Sequence, residues 1–246
     1  MFALLSLVPV AGMASVADFD PFAPPEPPKM VRVQVEFVEV AHADYTEWMM
    51  GNRSASDATA LRMKLAGLVE QNQAKVVETM MVVVQSGKKA SSGSNCEFIW
   101  PLVYEPPRLP TPGHFPLPPD DIRRIRLGIP LTPTAFETRN LGSNLEIVPT
   151  VAKDGRTISL ELAPELGFLA GHVAYRDFIT PDQHRFQQRH PIFITQRVNV
   201  ELTCRSGSYA LVTVLTPSDE DGQLDPSRKT MVFVRCDVVE VKEVSP

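Results

Sequence analysis

The residues of this chain that could do chemistry are its scattered aspartates. General acid–base catalysis by carboxylates needs two of them held close, so that one keeps a proton while the other stays ionised. The candidates for such a pair are Asp154, Asp177, Asp182, Asp219, Asp221 and Asp225. Asp154 and Asp221 are each followed by glycine, but neither lies in the Asp-Thr-Gly or Asp-Ser-Gly setting that pepsin-like peptidases use. The Asp-Gly dipeptide favours a turn at both positions.

These two aspartates still define one hypothesis, a secreted hydrolase. It would be a carboxylate-dependent, aspartic-type peptidase with Asp154 and Asp221 as its catalytic residues, acting on extracellular glycoprotein such as mucin. The hypothesis requires the two carboxyl groups to lie within hydrogen-bond reach in a cleft. Because the turn interpretation is favoured at both positions, we expect a protein without enzymatic activity.

Other catalytic and metal-binding patterns find no match in the sequence. His172, His184 and His190 lie in one polar stretch with Asp182, but the spacing of the histidines fits neither a HExxH helix nor a zinc finger. The sequence contains no GxSxG nucleophile elbow and no glycine-rich phosphate loop. We therefore predict no metal site and no cofactor.

The charge balance argues against nucleic acid as a partner. The formal net charge is −5 and the isoelectric point is near 5.6, whereas nucleic-acid binding needs clustered Lys and Arg to neutralise phosphates. The short basic run at 123–126 follows Asp120 and Asp121, which favours a solvated, ion-paired surface.

Three cysteines leave at least one thiol unpaired. Cys204 and Cys236 both lie on predicted strands near the C-terminus and could pair in an oxidising compartment. The alternative is that Cys96, Cys204 and Cys236 are all small core residues. Strand register decides between the two.

The N-terminus has the character of an exported protein. Residues 1–17 are predicted to be a signal peptide, because an apolar stretch ends in the small-x-small pattern Ser15-Val16-Ala17. Residues 18–29 form a Pro-rich linker, and residues 30–246 form the folded domain. We expect no transmembrane helix, because the apolar run is too short to span a bilayer and is broken by Pro9.

Hydrophobic periodicity predicts a β-rich α+β domain with mainly antiparallel strands. Strands are predicted over residues 31–40, 74–85, 97–104, 191–204, 209–215 and 230–241, and helices over 43–50 and 57–72. The prolines of residues 106–119 indicate an extended surface loop. Residues 167–191 are interpreted as a polar excursion between strands.

The strongest local pattern is a hairpin over Gly142–Glu165. Leu145 and Ile147 alternate before its turn, Ile158 and Leu160 alternate after it, and Asp154-Gly155 lies between. Asp-Gly flanked by alternating apolar residues is the clearest hairpin signal that a sequence offers.

The order of these segments resembles the C-terminal homology domain of bacterial secretins, the outer-membrane channel subunits of type II and type III secretion and type IV pilus systems. The matching segments are the opening strand 31–40, the helix–strand–turn 61–90, the hairpin 142–165, and the strands 191–214 and 230–241. The hairpin matches the family pattern at Gly142, Leu145, Pro149, Asp154, Gly155, Ile158 and Leu160.

The resemblance implies an exported, secretin-like cell-envelope protein with a structural or protein-interaction role in secretion or a type IV pilus. Protein partners in the envelope, homo-oligomerisation, and a periplasmic, outer-membrane-associated or extracellular location are implied with it. Secretins carry long gate and barrel-wall hairpins between the opening strand and the helix, where this chain has only Ala41–Asp57. The N-terminal modules are also missing, so we expect an incomplete channel.

A third hypothesis is a carbohydrate- or protein-binding β module. Aromatic residues make up only 7% of the chain, and Trp48 and Trp100 are its only tryptophans. This composition disfavours sugar binding by ring stacking.

Overall fold

The structure, a computed structural model, describes residues 28–51, 57–105, 132–179, 185–219 and 221–239. The predictions that lie outside these residues are the signal peptide (1–17), all but the end of the linker (18–29), the Pro-rich loop (106–119), the basic run (123–126), Asp182 and His184.

Nine strands and two helices occupy the described part of the chain. In chain order they are β1 (Met30–Ala41), α1 (His42–Gly51), α2 (Thr59–Glu70), β2 (Lys75–Gln85), β3 (Ala90–Glu105), β4 (Thr132–Val151), β5 (Thr157–Ile179), β6 (Arg185–Arg197), β7 (Val200–Arg205), β8 (Tyr209–Leu215) and β9 (Arg228–Val239). All of the strand pairs between these elements are antiparallel. The predicted β-rich α+β fold is confirmed.

The strands form two sheets. The first sheet has the order β2-β1-β9-β8, and the second has the order β3-β4-β5-β6. β7 pairs with the start of β5, so β6 and β7 follow one another along the same side of that strand. The single strand predicted over 191–204 is wrong in this respect, since the chain leaves the ladder between Arg197 and Val200.

Alternation on β1 builds the main core between the two sheets. Val31, Val33, Val35 and Phe37 are fully buried against the second sheet, which contributes Leu145, Ile147, Ile158, Leu160 and Leu162. These side chains share one face of each sheet because successive residues of a strand point to opposite sides of it.

Unbroken alternation lets β1 contribute to a second core as well, because its register against β9 is continuous from Met30 to Ala41. Its even-numbered residues face the other side of the first sheet, where Val38 and Val40 are buried together with Met231, Phe233 and Leu65 of α2. The register shift beside Phe37 and Val38 comes from an extra residue on β2, Val77. The helices therefore cover one end of the outer face.

One apolar face of α2 lies in this second core. Leu65 is buried, and Leu61, Leu68 and Val69 pack against the cluster. Just before the helix, whose N-cap residue is Ala58, the backbone N–H of Thr59 donates to Asp57 Oδ1 over 2.9 Å.

The predicted hairpin over Gly142–Glu165 is confirmed. Val151 pairs with Ile158, and Ala152 N–H donates to the Thr157 carbonyl over 2.8 Å across the turn. Gly155 has φ of 69°, a left-handed conformation that glycine adopts without steric penalty.

The predicted polar excursion over residues 167–191 is wrong. β5 continues without interruption to Ile179 and β6 returns from Arg185. This pair of strands carries bulges between Leu169 and Gly171 and between Ala174 and Arg176, and the bulges break the alternation that would have marked a strand.

Candidate interaction surface

Two long hairpins extend from the second sheet and part from one another at a pair of glycines. The ladder between β4 and β5 runs from Val151↔Ile158 to Gly142↔Gly167, and it continues no further within the described residues. Beyond that point β4 pairs with β3, and β5 pairs with β6. We call residues 96–105 with 132–141 the first distal hairpin, and residues 168–179 with 185–194 the second distal hairpin.

Gly142 occupies a position that a side chain cannot share. Its φ is 137°, and a Cβ built on it would lie 2.0 Å from the carbonyl oxygen of Ser94 on the neighbouring strand. Asn95, which pairs with Gly142, also donates a side-chain hydrogen bond to Asn144 Oδ1 over 2.6 Å. The glycine lets β4 leave β5 while it stays paired with β3, since glycine marks bends and close backbone approach in strands.

An aromatic cluster holds the two distal hairpins together by side-chain contacts. Phe193 of the second hairpin lies 4.8 Å from Trp100 and 5.7 Å from Phe98 of the first, measured between ring centroids. The Phe98 and His172 rings are 6.5 Å apart. Such tilted and edge-on pairs stabilise contacts beyond the area that they bury.

Arg139 adds a polar contact at the margin of this cluster. Its guanidinium lies 5.0 Å from the centre of the Phe193 ring, and Nη2 donates to Thr195 Oγ1 over 2.9 Å. The two hairpins therefore form two layers that contact through their facing side chains.

Large apolar side chains remain exposed on both hairpins. On the first they are Ile99, Leu102, Val103 and Phe136, and on the second Val173 and Tyr175. Phe136 is 59% exposed and Ile99 57%. Exposed apolar patches are common at interaction sites, so the side chains on these two hairpins make them the candidate interaction surface.

The outer strands of the second sheet are also open along their backbone. In the described part of the chain, β3 pairs only with β4, and β6 pairs only with β5. Unpaired N–H and C=O groups on an edge strand can pair with a strand of another chain.

The structure places Asp154 and Asp221 in two different turns. Asp154 follows β4, whereas Asp221 lies in the loop between β8 and β9, where a Cβ on Gly222 would contact Ile192 and Ala170. Ile158 and Ala170 are both on β5, and a strand rise of about 3.3 Å per residue separates them by roughly 40 Å. The two carboxyl groups are not brought together in a cleft.

The Asp154 carboxylate instead stabilises its own turn by hydrogen bonds. It accepts hydrogen bonds from Thr157 Oγ1 over 2.6 Å, from Thr157 N–H over 2.9 Å and from Arg156 N–H over 3.0 Å. These bonds, the Thr157 hydroxyl first, lower the pKa of Asp154 to about 2. In the other loop, Asp219 accepts the N–H groups of Asp221 and Gln223.

His172 and His190 lie on the second distal hairpin. His172 faces the aromatic cluster, and His190 contacts Tyr175 with 5.1 Å between ring centroids. No group of three or more His, Cys, Asp or Glu side chains positioned for a metal occurs among the described residues. None of the helices in that part of the chain has the length and apolar character needed to cross a bilayer.

A buried ion pair, which the sequence did not reveal, ties α2 to the first sheet. Arg62 Nε donates to Glu36 Oε2 over 2.5 Å, and Glu36 also receives hydrogen bonds from Gln34 and from the Tyr209 hydroxyl. Glu36 is only 3% exposed. Its place in the polar half of the β1 alternation predicts a solvent-facing side chain, and only the position of α2 covers it.

Comparison with known proteins gives matches to solved structures only. No family model matches the sequence, and no curated protein matches it. A chain of the Klebsiella pneumoniae type II secretion system outer membrane complex of PulD, PulS and the PulC HR domain is similar with a TM-score of 0.42 and 13% identity, over 88% of this chain and 41% of that chain.

Two further secretins match in the same way. The type II secretin GspD of enteropathogenic Escherichia coli has a TM-score of 0.44 and 10% identity, over 87% of this chain and 70% of that one. The type IV competence pilus secretin PilQ of V. cholerae has a TM-score of 0.40 and 10% identity, over 87% of this chain and 62% of that one. The matched structures are of secretins, the family that the sequence motifs resemble.

Proposed function

We propose that this protein is an exported, secretin-like component of a bacterial cell envelope, with a structural and protein-interaction role in a secretion or type IV pilus assembly. The observation that carries the proposal is the pair of distal hairpins, which have open strand edges and expose apolar side chains. Copies of the chain associate through these hairpins, and other envelope proteins bind the assembled copies.

Edge pairing between copies accounts for both the open strand edges and the exposed apolar side chains of the hairpins. A β3 edge that meets a β6 edge of another copy would satisfy backbone groups that have no strand partner in the described part of one chain. This contact joins two different surfaces, so repeating it produces a ring if the rotation closes. Side chains such as Ile99 and Phe136 would become buried in the same step.

The aromatic cluster supplies the rigidity that such a contact requires. Phe98 and Trp100 are packed on Phe193 within one chain, so the layers are already in place before another copy binds. Association then needs little additional ordering, which is the main advantage of a preorganised surface.

The proposal is tested by measuring the mass of the purified protein by size-exclusion chromatography with light scattering. We expect a large homo-oligomer for the unmodified chain. The double variant Ile99→Lys, Val103→Lys places two charges on the exposed side of β3, and we expect it to shift the protein to smaller species. Met63→Lys is the matched control, because Met63 is 71% exposed on α2, far from the hairpins in sequence and in the fold.

Two results would reject the proposed association. One is a strict monomer at all protein concentrations for the unmodified chain. The other is an oligomer that the β3 double variant and the Met63→Lys control leave equally unchanged. Fractionation of cells that produce the full chain tests the location, since recovery in the cytoplasm alone contradicts export.

A further inference from the structure

Two cysteines from different sheets meet in the main core. Cys204 lies on β7 of the second sheet beside Ile158, and Cys236 lies on β9 of the first sheet beside Val33. Cys204 is 4% exposed and Cys236 is fully buried. The third cysteine, Cys96, is exposed on β3.

The backbone around the two cysteines is fixed in close contact. Gly207 N–H, in the turn that follows β7, donates to the carbonyl oxygen of Cys236 over 2.9 Å. Val238 N–H donates to Ser206 Oγ in the same turn over 3.0 Å. These bonds hold the end of β7 against the strand segment that carries Cys236, and both cysteine side chains lie in the same core cluster. A disulfide needs this approach, since its two Cα atoms lie within about 7 Å of each other.

The folded core protects both thiols from reagents in solution. Cys204 and Cys236 are both buried, so a reagent in solution reaches neither sulfur. Contact with the Cys204 thiol and burial together raise the pKa of Cys236, which keeps this thiol protonated, and only a thiolate attacks a disulfide. Any oxidation of this pair therefore takes place while the chain folds, before the sheets close.

We propose that Cys204 and Cys236 form a disulfide that joins the two sheets when the chain folds in the presence of a disulfide donor. The thiolate of one cysteine attacks the donor, forms a mixed disulfide and releases one donor thiol. The second cysteine loses its proton and attacks the protein sulfur of that mixed disulfide, which releases the other donor thiol. The protein loses two electrons and two protons, and the donor disulfide is reduced to two thiols.

The bond would strengthen the junction between the two sheets. The chain passes between the sheets at the Ser206–Ser208 turn and between β2 and β3, and the disulfide would add a cross-link beside the first of these crossings. It closes a loop that contains β8 and most of β9, two of the four strands of the first sheet. Closing such a loop stabilises a fold chiefly by restricting the unfolded chain.

The test uses the full chain refolded from denaturant in a glutathione redox buffer, so its outcome does not depend on the function proposed above or on export. After free thiols are blocked with iodoacetamide, trypsin releases VNVELTCR with Cys204 and CDVVEVK with Cys236. We expect mass spectrometry to find these two peptides linked and Cys96 alkylated. Alkylation of both Cys204 and Cys236, or linkage of either one to Cys96, would overturn the proposal.

Thermal unfolding with and without reductant provides a second measurement. Reduction should lower the melting temperature of the oxidised chain by on the order of 10 °C. The control Cys96→Ser should show the same loss, whereas the double variant Cys204→Ala, Cys236→Ala should be insensitive to reductant. Equal melting temperatures of the oxidised chain with and without reductant would contradict a cross-link between the sheets.

Discussion

Gly142 lies so close to Ser94 that the two strands leave no room for a side chain between them. A Cβ on Gly142 would approach the Ser94 carbonyl oxygen to 2.0 Å, far inside van der Waals contact. This contact lies where the β4–β5 ladder ends and the two distal hairpins part. The direction of the first distal hairpin therefore depends on one glycine.

Replacing this glycine should destabilise the fold. We expect Gly142→Ala to lower the free energy of unfolding by roughly 3 kcal/mol or more, because it adds both a steric clash and a strained φ. The control is Gly155→Ala, which also has a positive φ but has open space around the new methyl group, and should lose about 1 kcal/mol. Urea denaturation measures both values, and equal losses would show that the Ser94 contact contributes nothing.

The buried ion pair between Arg62 and Glu36 should be costly to break from one side. The two side chains are 16% and 4% exposed, so Arg62→Met leaves a carboxylate buried without its cation and should lower the free energy of unfolding by about 3 kcal/mol. Adding Glu36→Gln to this variant removes the buried charge and should restore part of the loss. Lys89→Met, which breaks the exposed pair with Glu146, is the control and should change stability by less than about 1 kcal/mol.

The carboxyl group of Asp154 should titrate at unusually low pH. Its pKa of about 2 in the folded state lies below the ordinary value of 3.8, so the hydrogen bonds of the turn favour folding while Asp154 is ionised. This contribution is complete above pH 3.8 and is lost as the pH falls through about 2. NMR titration should show a higher midpoint for Asp154 in Thr157→Val, which lacks the hydroxyl donor, than in Thr157→Ser. The same midpoint in both variants would contradict this cause.

Truncating the centre of the aromatic cluster should loosen the distal hairpins and leave the core intact. Phe193→Ala removes the ring that contacts both Phe98 and Trp100, so amide hydrogen exchange in residues 96–105 and 185–194 should accelerate by at least about tenfold. Exchange in β1 and β9 should not change. Val173→Ala, at a side chain that is 53% exposed, is the control. Acceleration throughout the protein would instead place Phe193 within the cooperative core.

The sequence predicts the central parts of the fold because the first part of β1 and the strands of the hairpin each have one apolar face and one more polar face. Strict alternation in residues 31–37 and the Asp154-Gly155 turn each contain enough local information to define a strand or a hairpin. The same local pattern favours a turn role for Asp154 over a catalytic role.

Most of the distal hairpins could not be predicted in the same way, although the strand predicted over residues 97–104 is present within β3. Their strands are half-buried on one face by aromatic side chains and carry exposed apolar residues on the other, so no period of two appears in the sequence. Bulges near Gly171 and Arg176 shift the remaining pattern. The contact between Phe98 and Phe193 joins residues that are far apart in the chain, so no local sequence pattern marks it.

The alternation of β1 is unbroken, so odd or even position alone assigns each of its side chains to one of the two cores. The odd-numbered Val31, Val33, Val35 and Phe37 lie between the sheets, whereas the even-numbered Val38 and Val40 lie under the helices. Removing one residue between Phe37 and Val38 would exchange the two faces for the rest of the strand and direct Val38 and Val40 away from α2. The helices would then lose their packing partners on β1, although the composition of the strand would hardly change. Evolution can thus alter the outer layer of this protein by a change in length at one position, without any substitution in either core.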